Sequence, residues 1–327
     1  MKKEEEGESE MVHKEKEEEE EVHVLLAAAR PFLRGSVEDV DPVLPSLVRV
    51  LRETGAAECW HKHGTFLEHL QHVYRILKLW RAPDPVARCG LFHSAYSNSY
   101  VNLAIFQPDV ERARVSDLVG PDAEALIHLF CIVPRHPLIH QDLLAKSKAS
   151  DPDLLAALSG SRPVHDLIPP PEGLTVPHIR TGHDVHLPRP LLAFFLLLTM
   201  ADFIDQLTGW QDSLFGNRDG NLAWTGNNWA ALWPGNGKPG LWMSAVSRMG
   251  LLLHLIVREE RKAHSSESNG GGGAMDSYHY LNLELPPIFD GCTRILDPDH
   301  QVQARDAYWE AVQLSDTDTD DCSSGDR

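Results

Sequence analysis

The chain has 327 residues, of which 42% are hydrophobic and 24% charged, the balance of an ordinary globular protein with a sizeable core. Its formal net charge of −18 gathers at the ends, since residues 2–21 hold eleven Glu against four Lys and residues 315–327 hold five Asp against one Arg. An acidic chain without a basic patch excludes a nucleic-acid groove, and five cysteines with no CxxC pair exclude a disulfide framework and a zinc ribbon.

Read in chain order, the signals are helical. Val22 to Leu33 predicts a short amphipathic segment behind a solvated acidic tail. Asp41-Pro42 reads as a cap and first-turn pair opening VLPSLVRVLRETG. The clearest start is GTFLEHLQHVYRILKLW, where Thr65 and Glu68 form a capping box and Phe66, His69, Val73, Ile76, Leu77 and Trp80 share one face. Asp84-Pro85 opens the next helix, with Val86, Cys89, Gly90 and His93 on one stripe. Gly120-Pro121-Asp122 starts AEALIHLFCIV, and Asp151-Pro152 starts DLLAALSG.

The middle changes character. Residues 160–176 form loops, and LTVPHIRTGHDVHLP predicts two extended pieces about a Thr181-Gly182 turn. Pro190 leads into an apolar helix ending in TMADFIDQL. Its core, Leu191 to Met200, has about half of the ~20 residues that a membrane span needs. No apolar signal core opens the chain, so it is expected in the cytosol or nucleus with no membrane partner. A Trp-rich stretch from Phe215 to Trp242 reads as a loop packed by its own side chains. A helix over about Leu241 to Arg261 and a C-terminal helix carrying Tyr308 and Trp309 complete the pass.

The fold class is therefore all-α, a mainly helical bundle with a small β-hairpin-like element and long loops. The expected division is a disordered acidic tail at 1–21, a helical domain at 22–262, a flexible Gly/Ser linker at 263–274, a packed helical segment at 275–314 and a second acidic tail at 315–327.

Among eighteen histidines, position decides which matter. His69 and His93 lie on apolar stripes of consecutive helices, and the short RAPDP connection predicts that these pack against each other. Asp202 follows a ten-residue apolar run, where a carboxylate is costly to bury unless it is paired or binds a metal. Two histidines and one carboxylate make a known ligand set with open positions for water or substrate.

A histidine followed by Leu on one helix, a histidine closing GLFH on the next, and a late Ala-Asp pair after an apolar helix resemble the HD-domain superfamily. That resemblance covers roughly Trp60 to Trp210. It implies a helical, metal-dependent protein, commonly a phosphohydrolase and in a minority of members an iron oxygenase. It implies His69, His93 and Asp202 as ligands of one divalent ion, Fe, Mn or Zn, whose bound water attacks the substrate. Ser94 stands where the family has the Asp of its His-Asp pair, which disfavours a two-metal mechanism. Ser94 and Asn98 would then orient the substrate or that water. The wider pattern, including GLFHSAYSNSYVN and GLWMSAVSRMG, is more closely similar to a plant and bacterial group known as a domain of unknown function, which implies no activity.

Three functions follow as alternatives: a mononuclear metal-dependent hydrolase of a small phosphorylated or polyhydroxylated molecule, a catalytically degenerate regulatory or interaction module, and a non-haem iron oxygenase. The two enzyme readings require the three residues to converge. Other histidines weigh less. His61, His63 and His72 read mainly as exposed or capping residues, with an extra ligand or base as the rival. GHDVH, with His183 to His186, is a literal His-Asp in an extended segment and reads as a decoy, with a hairpin tip beside the pocket as the rival. Asp205 reads as a solvated or capping residue beside Asp202, with support of the ligand site as the rival. The tryptophans Trp224, Trp229, Trp233 and Trp242 read as anchors. Cys89 and Cys131, in apolar helical runs, read as inert thiols.

Overall fold

A computed structural model describes residues 23–61, 64–99, 104–108, 110–145, 151–216, 241–267, 281, 283–286 and 307. Helix α1 covers residues 23–34. After it come α2 (Leu44–Glu53), α3 (Phe66–Leu79), α4 (Asp84–Phe92), α5 (Arg112–Val119), α6 (Pro121–Ile132) and α7 (Asp151–Leu158), then α8 (Arg189–Gly216) and α9 (Leu241–Glu267). Two small antiparallel pairs accompany them, β1 (Trp60–His61) with β2 (Gly64–Thr65) and β3 (Leu174–Pro177) with β4 (Asp184–Leu187). The mainly helical class and the hairpin both hold, with long loops between. The Trp-rich stretch from 217 to 240 and nearly all of the C-terminal segment lie outside the described residues.

Helix α8 organises the core. Every residue from Leu191 to Phe203 is buried, Thr199 and Asp202 included, so the helix needs neighbours all round over these turns. It packs against α3, α4 and α9. Among the described residues no helix is long and apolar enough to cross a membrane. Arg189 at its start pairs with Glu260 of α9. Arg258 of α9 donates to the carbonyls of Leu158 (3.0 Å) and Ala157 (2.8 Å), satisfying the free end of α7.

Helix α3 begins as its sequence dictates. The Thr65 hydroxyl accepts from the Glu68 amide, while the Glu68 carboxylate accepts from the Thr65 amide at 2.7 Å. Its inner face buries Phe66, His69, Leu70, Val73, Tyr74 and Leu77. Against that face lies Gly90 of α4, where an added Cβ would sit 2.4 Å from Leu77 Cδ1 and 3.3 Å from Val73 Cγ1. Glycine thus permits the close approach that brings His69 and His93 together. Gly90→Val is expected to force the two helices apart, lowering stability by about 3 kcal/mol in thermal or denaturant unfolding. An unchanged melting curve would refute the close approach.

The start of α2 departs from the sequence reading. Its N-cap is Val43, and Asp41 stands before it. The Asp41 carboxylate accepts from the Val43 amide, and it also accepts from Arg88 of α4 at 2.9 and 3.1 Å. Asp41 is 2% exposed, so it is a buried hub joining α2 to α4. A residue that looked like a local cap works across the fold.

Several features went unforeseen, among them α5 and the β1–β2 pair. Residues Pro137–Ala145 form a π-helix just after α6, a rare form that places side chains out of ordinary helical register. The tip of the β3–β4 hairpin docks on the end of α6, where the Ile179 amide donates to the Ile132 carbonyl at 2.8 Å. Helix α9 also continues past Arg261 to Glu267.

Candidate metal centre

Three elements deliver one residue each. His69 comes from α3, His93 is the C-cap of α4, and Asp202 lies on α8. All three are buried, and one ligand atom from each lies within 4.8 Å of the others. His69 Nε2 is 3.4 Å from His93 Nε2 and 3.3 Å from Asp202 Oδ1. Two ligands bound ~2.1 Å from one ion, at tetrahedral to octahedral angles, are themselves separated by about 3.0–3.4 Å. Both separations are of that size, so the cluster could hold a metal ion.

The outer nitrogens of both rings are tied down. His93 Nδ1 donates to the Gly90 carbonyl at 2.7 Å, which leaves the lone pair of Nε2 facing inward. His69 Nδ1 is 2.7 Å from Asp205 Oδ2, and the other oxygen of Asp205 takes His72 Nδ1 at 3.0 Å. Asp205 is therefore the residue that orients His69 and not a solvated neighbour, because residues three apart on α8 share a face. The ring of His61 lies with its centroid 4.6 Å from that of His69, while the His72 side chain is 49% exposed. His63 falls outside the described residues.

These contacts set the charges. Burial alone would push the proton off His69, but its bonds to Asp202 and Asp205 outweigh that and hold its pKa up at about 9. Burial dominates at His93, which is lowered to about 4 despite the attraction of Asp202. Burial would raise the Asp202 carboxyl, yet its bond to His69 and the positive groups around it hold it well below the usual range. The two inner nitrogens face each other at 3.4 Å, on either side of the space where an ion would bind both.

Sequence reasoning missed Arg135, which follows α6. Its Nη1 donates to Asp202 Oδ2 at 3.2 Å and its Nη2 to Asn98 Oδ1 at 3.1 Å. The guanidinium carbon lies 4.0 Å from the Phe130 ring centroid, and the residue is 1% exposed. A fully buried arginine beside a fully buried carboxylate is legible only once the fold is known. Gln206, one turn beyond Asp202, donates to Asp202 Oδ1. Ser94 and Asn98 are buried, and the Asn98 amide donates to the Ser94 hydroxyl at 2.7 Å. The two are thus joined to each other and, through Asn98, to Arg135.

The remaining candidates lie apart from this group. His183 and His186 are exposed on the hairpin, with His186 Nδ1 3.4 Å from the Thr175 hydroxyl, which agrees with their reading as a decoy. Burial pushes the Cys131 thiol up to about 12 and the Cys89 thiol upward too, which disfavours the reactive thiolate at both. A cavity of about 100 Å³ lies between α1, α2 and α3, lined by Phe32, Val37, Leu44, Val48 and Tyr74, and none of the three ligand candidates lines it.

Residues 50–135 match the model of a family described as a domain of unknown function (DUF6817). That span includes His69, His93, Ser94 and Asn98 and closes on Arg135, while Asp202 and Asp205 lie beyond it. No curated protein and no solved structure matches the chain.

Proposed function

We propose that the chain is a divergent HD-like protein in which His69, His93 and Asp202 hold one divalent metal ion, and that it hydrolyses a small phosphorylated or polyhydroxylated molecule. The observation that carries this reading is the 3.4 and 3.3 Å spacing of three buried ligand atoms drawn from three helices. When bound, the ion would supply a Lewis acid for a substrate oxygen and lower the pKa of a coordinated water.

The chain's own groups do the rest. Asp205 holds His69 in the tautomer that turns Nε2 inward, and the Gly90 carbonyl does the same for His93. Gln206 holds the Asp202 carboxylate in place, and Arg135 balances its charge. Ser94 and Asn98 orient the substrate from the segment that follows His93.

A second reading has an observation of its own. Arg135 already balances Asp202, so the buried carboxylate does not require an ion. A catalytically degenerate fold acting as a regulatory or interaction module would keep that pair and bind no metal.

Tag-free protein, reconstituted separately with manganese, iron and zinc, is expected to hold about one ion per chain by mass spectrometry. The loaded protein is expected to release phosphate from a panel of sugar and polyol phosphomonoesters. Asp205→Asn should weaken metal binding roughly 10–100-fold while the protein stays folded. Absence of metal under all three reconstitutions would overturn the hydrolase in favour of the module, and an iron-only site without phosphate release would favour an oxygenase.

A further inference from the structure

We infer that Arg135 is a built-in cation that restricts the centre to one metal ion and gives the loaded centre a net positive charge, so that its ligand is an anion. This rests on the metal-binding reading above.

A carboxylate bridges two cations by offering one oxygen to each. Asp202 Oδ1 faces His69, but Oδ2 accepts from Arg135 Nη1 and is engaged before any second ion arrives. The arginine cannot swing aside cheaply. Its other arm donates to Asn98 Oδ1, its face lies on the Phe130 ring, and it is buried. Asn98 in turn donates to the Ser94 hydroxyl. From Ser94, next to His93, a hydrogen-bonded chain of Asn98 and Arg135 reaches Asp202.

The charges lead to the anion. A guanidinium stays protonated throughout the range in which proteins are folded. Around neutral ligating imidazoles, the charged groups seen among the described residues to contact the ligands are Asp205 and Arg135, beside Asp202 itself. A divalent ion added to these leaves one positive charge in excess, and without Arg135 it would leave none. Arg135 therefore weakens the hold on the ion and strengthens the hold on an anion that binds beside it.

This predicts opposite shifts in two affinities, which a structural role cannot produce. Calorimetric titrations would follow Mn²⁺ into the full chain, then inorganic phosphate into the Mn²⁺-loaded protein, for wild type, Arg135→Gln and Arg135→Lys. Wild type is expected to take one Mn²⁺. Arg135→Gln is expected to bind Mn²⁺ about tenfold more tightly and phosphate about tenfold more weakly. Arg135→Lys, which keeps the charge, should stay close to wild type in both. If Arg135→Gln does not fold, Asn98→Asp sets a carboxylate against the retained guanidinium and carries the same two expectations.

Two Mn²⁺ per wild-type chain, or loss of both affinities together in Arg135→Gln, would overturn the inference while leaving the metal-binding reading in place. Mn²⁺ bound by Arg135→Gln but not by wild type would support Arg135 as the built-in cation and overturn the hydrolase. Binding by neither protein would overturn both.

Discussion

His93→Ala is expected to lower the affinity for a divalent ion by roughly three orders of magnitude, about 4 kcal/mol, which is one ligand's share of a well-formed site. The loss should be seen as metal missing from the purified variant while its far-ultraviolet circular dichroism stays helical. The imidazole is 2% exposed, and its removal also leaves a gap beside Phe130, whose ring centroid is 5.9 Å away. A modest fall in melting temperature should therefore accompany the loss. Asp202→Asn separates the two effects, because it removes the anionic ligand at nearly constant volume and should also abolish binding. A His93→Ala protein that retains the wild-type metal ratio would put the ion somewhere else on the chain.

The second large effect is on stability and lies away from the metal centre. Asp41→Asn is expected to cost about 2 kcal/mol at neutral pH, less than for a fully buried pair because the Arg88 side chain is 23% exposed. A domain of this size should then melt about 5 °C lower. The pH dependence follows from the direction of the shift. Burial alone would raise the Asp41 carboxyl, but the bonds from Arg88 and the Val43 amide outweigh it and hold the folded-state pKa below its unfolded value. The unfolded chain therefore takes up the proton first as pH falls. The contribution of Asp41 is complete above the unfolded value of about 4 and disappears as pH drops through the lower folded value. Melting curves of wild type and variant should stay apart down to about pH 4 and converge below it. A gap that persists unchanged to pH 2 would show that the charge of Asp41 is not what stabilises the fold.

Asp41 also marks where the sequence is legible and where it is not. Local chemistry determined much. The Thr65–Glu68 box starts α3 because both partners lie within one turn, and Pro121 starts α6 because a first-turn proline lacks only an amide that would go unused. The Gly182 turn closes its hairpin at a φ of +73°, which glycine adopts without a side-chain clash. His69, His93 and Asp202 stood out for a related reason, since a polar group on an apolar stripe must find a partner when the stripe is buried.

What the tertiary structure alone decided concerns side chains whose partners are distant in the chain. Asp41 stands before α2 and Arg88 lies on α4, and a proline after an aspartate mimics a cap. Asp205 is exposed or buried according to what packs on α8, and α3 supplies two histidines there. Arg135 stands in a short polar stretch after α6, where an arginine by default faces solvent. Only the packing of α6 against α4, with α4 against α8, encloses it between Asp202, Asn98 and Phe130. Spacing along a helix reports which residues share a face. Which face meets which, and so which charges must neutralise one another out of water, is settled by long-range packing.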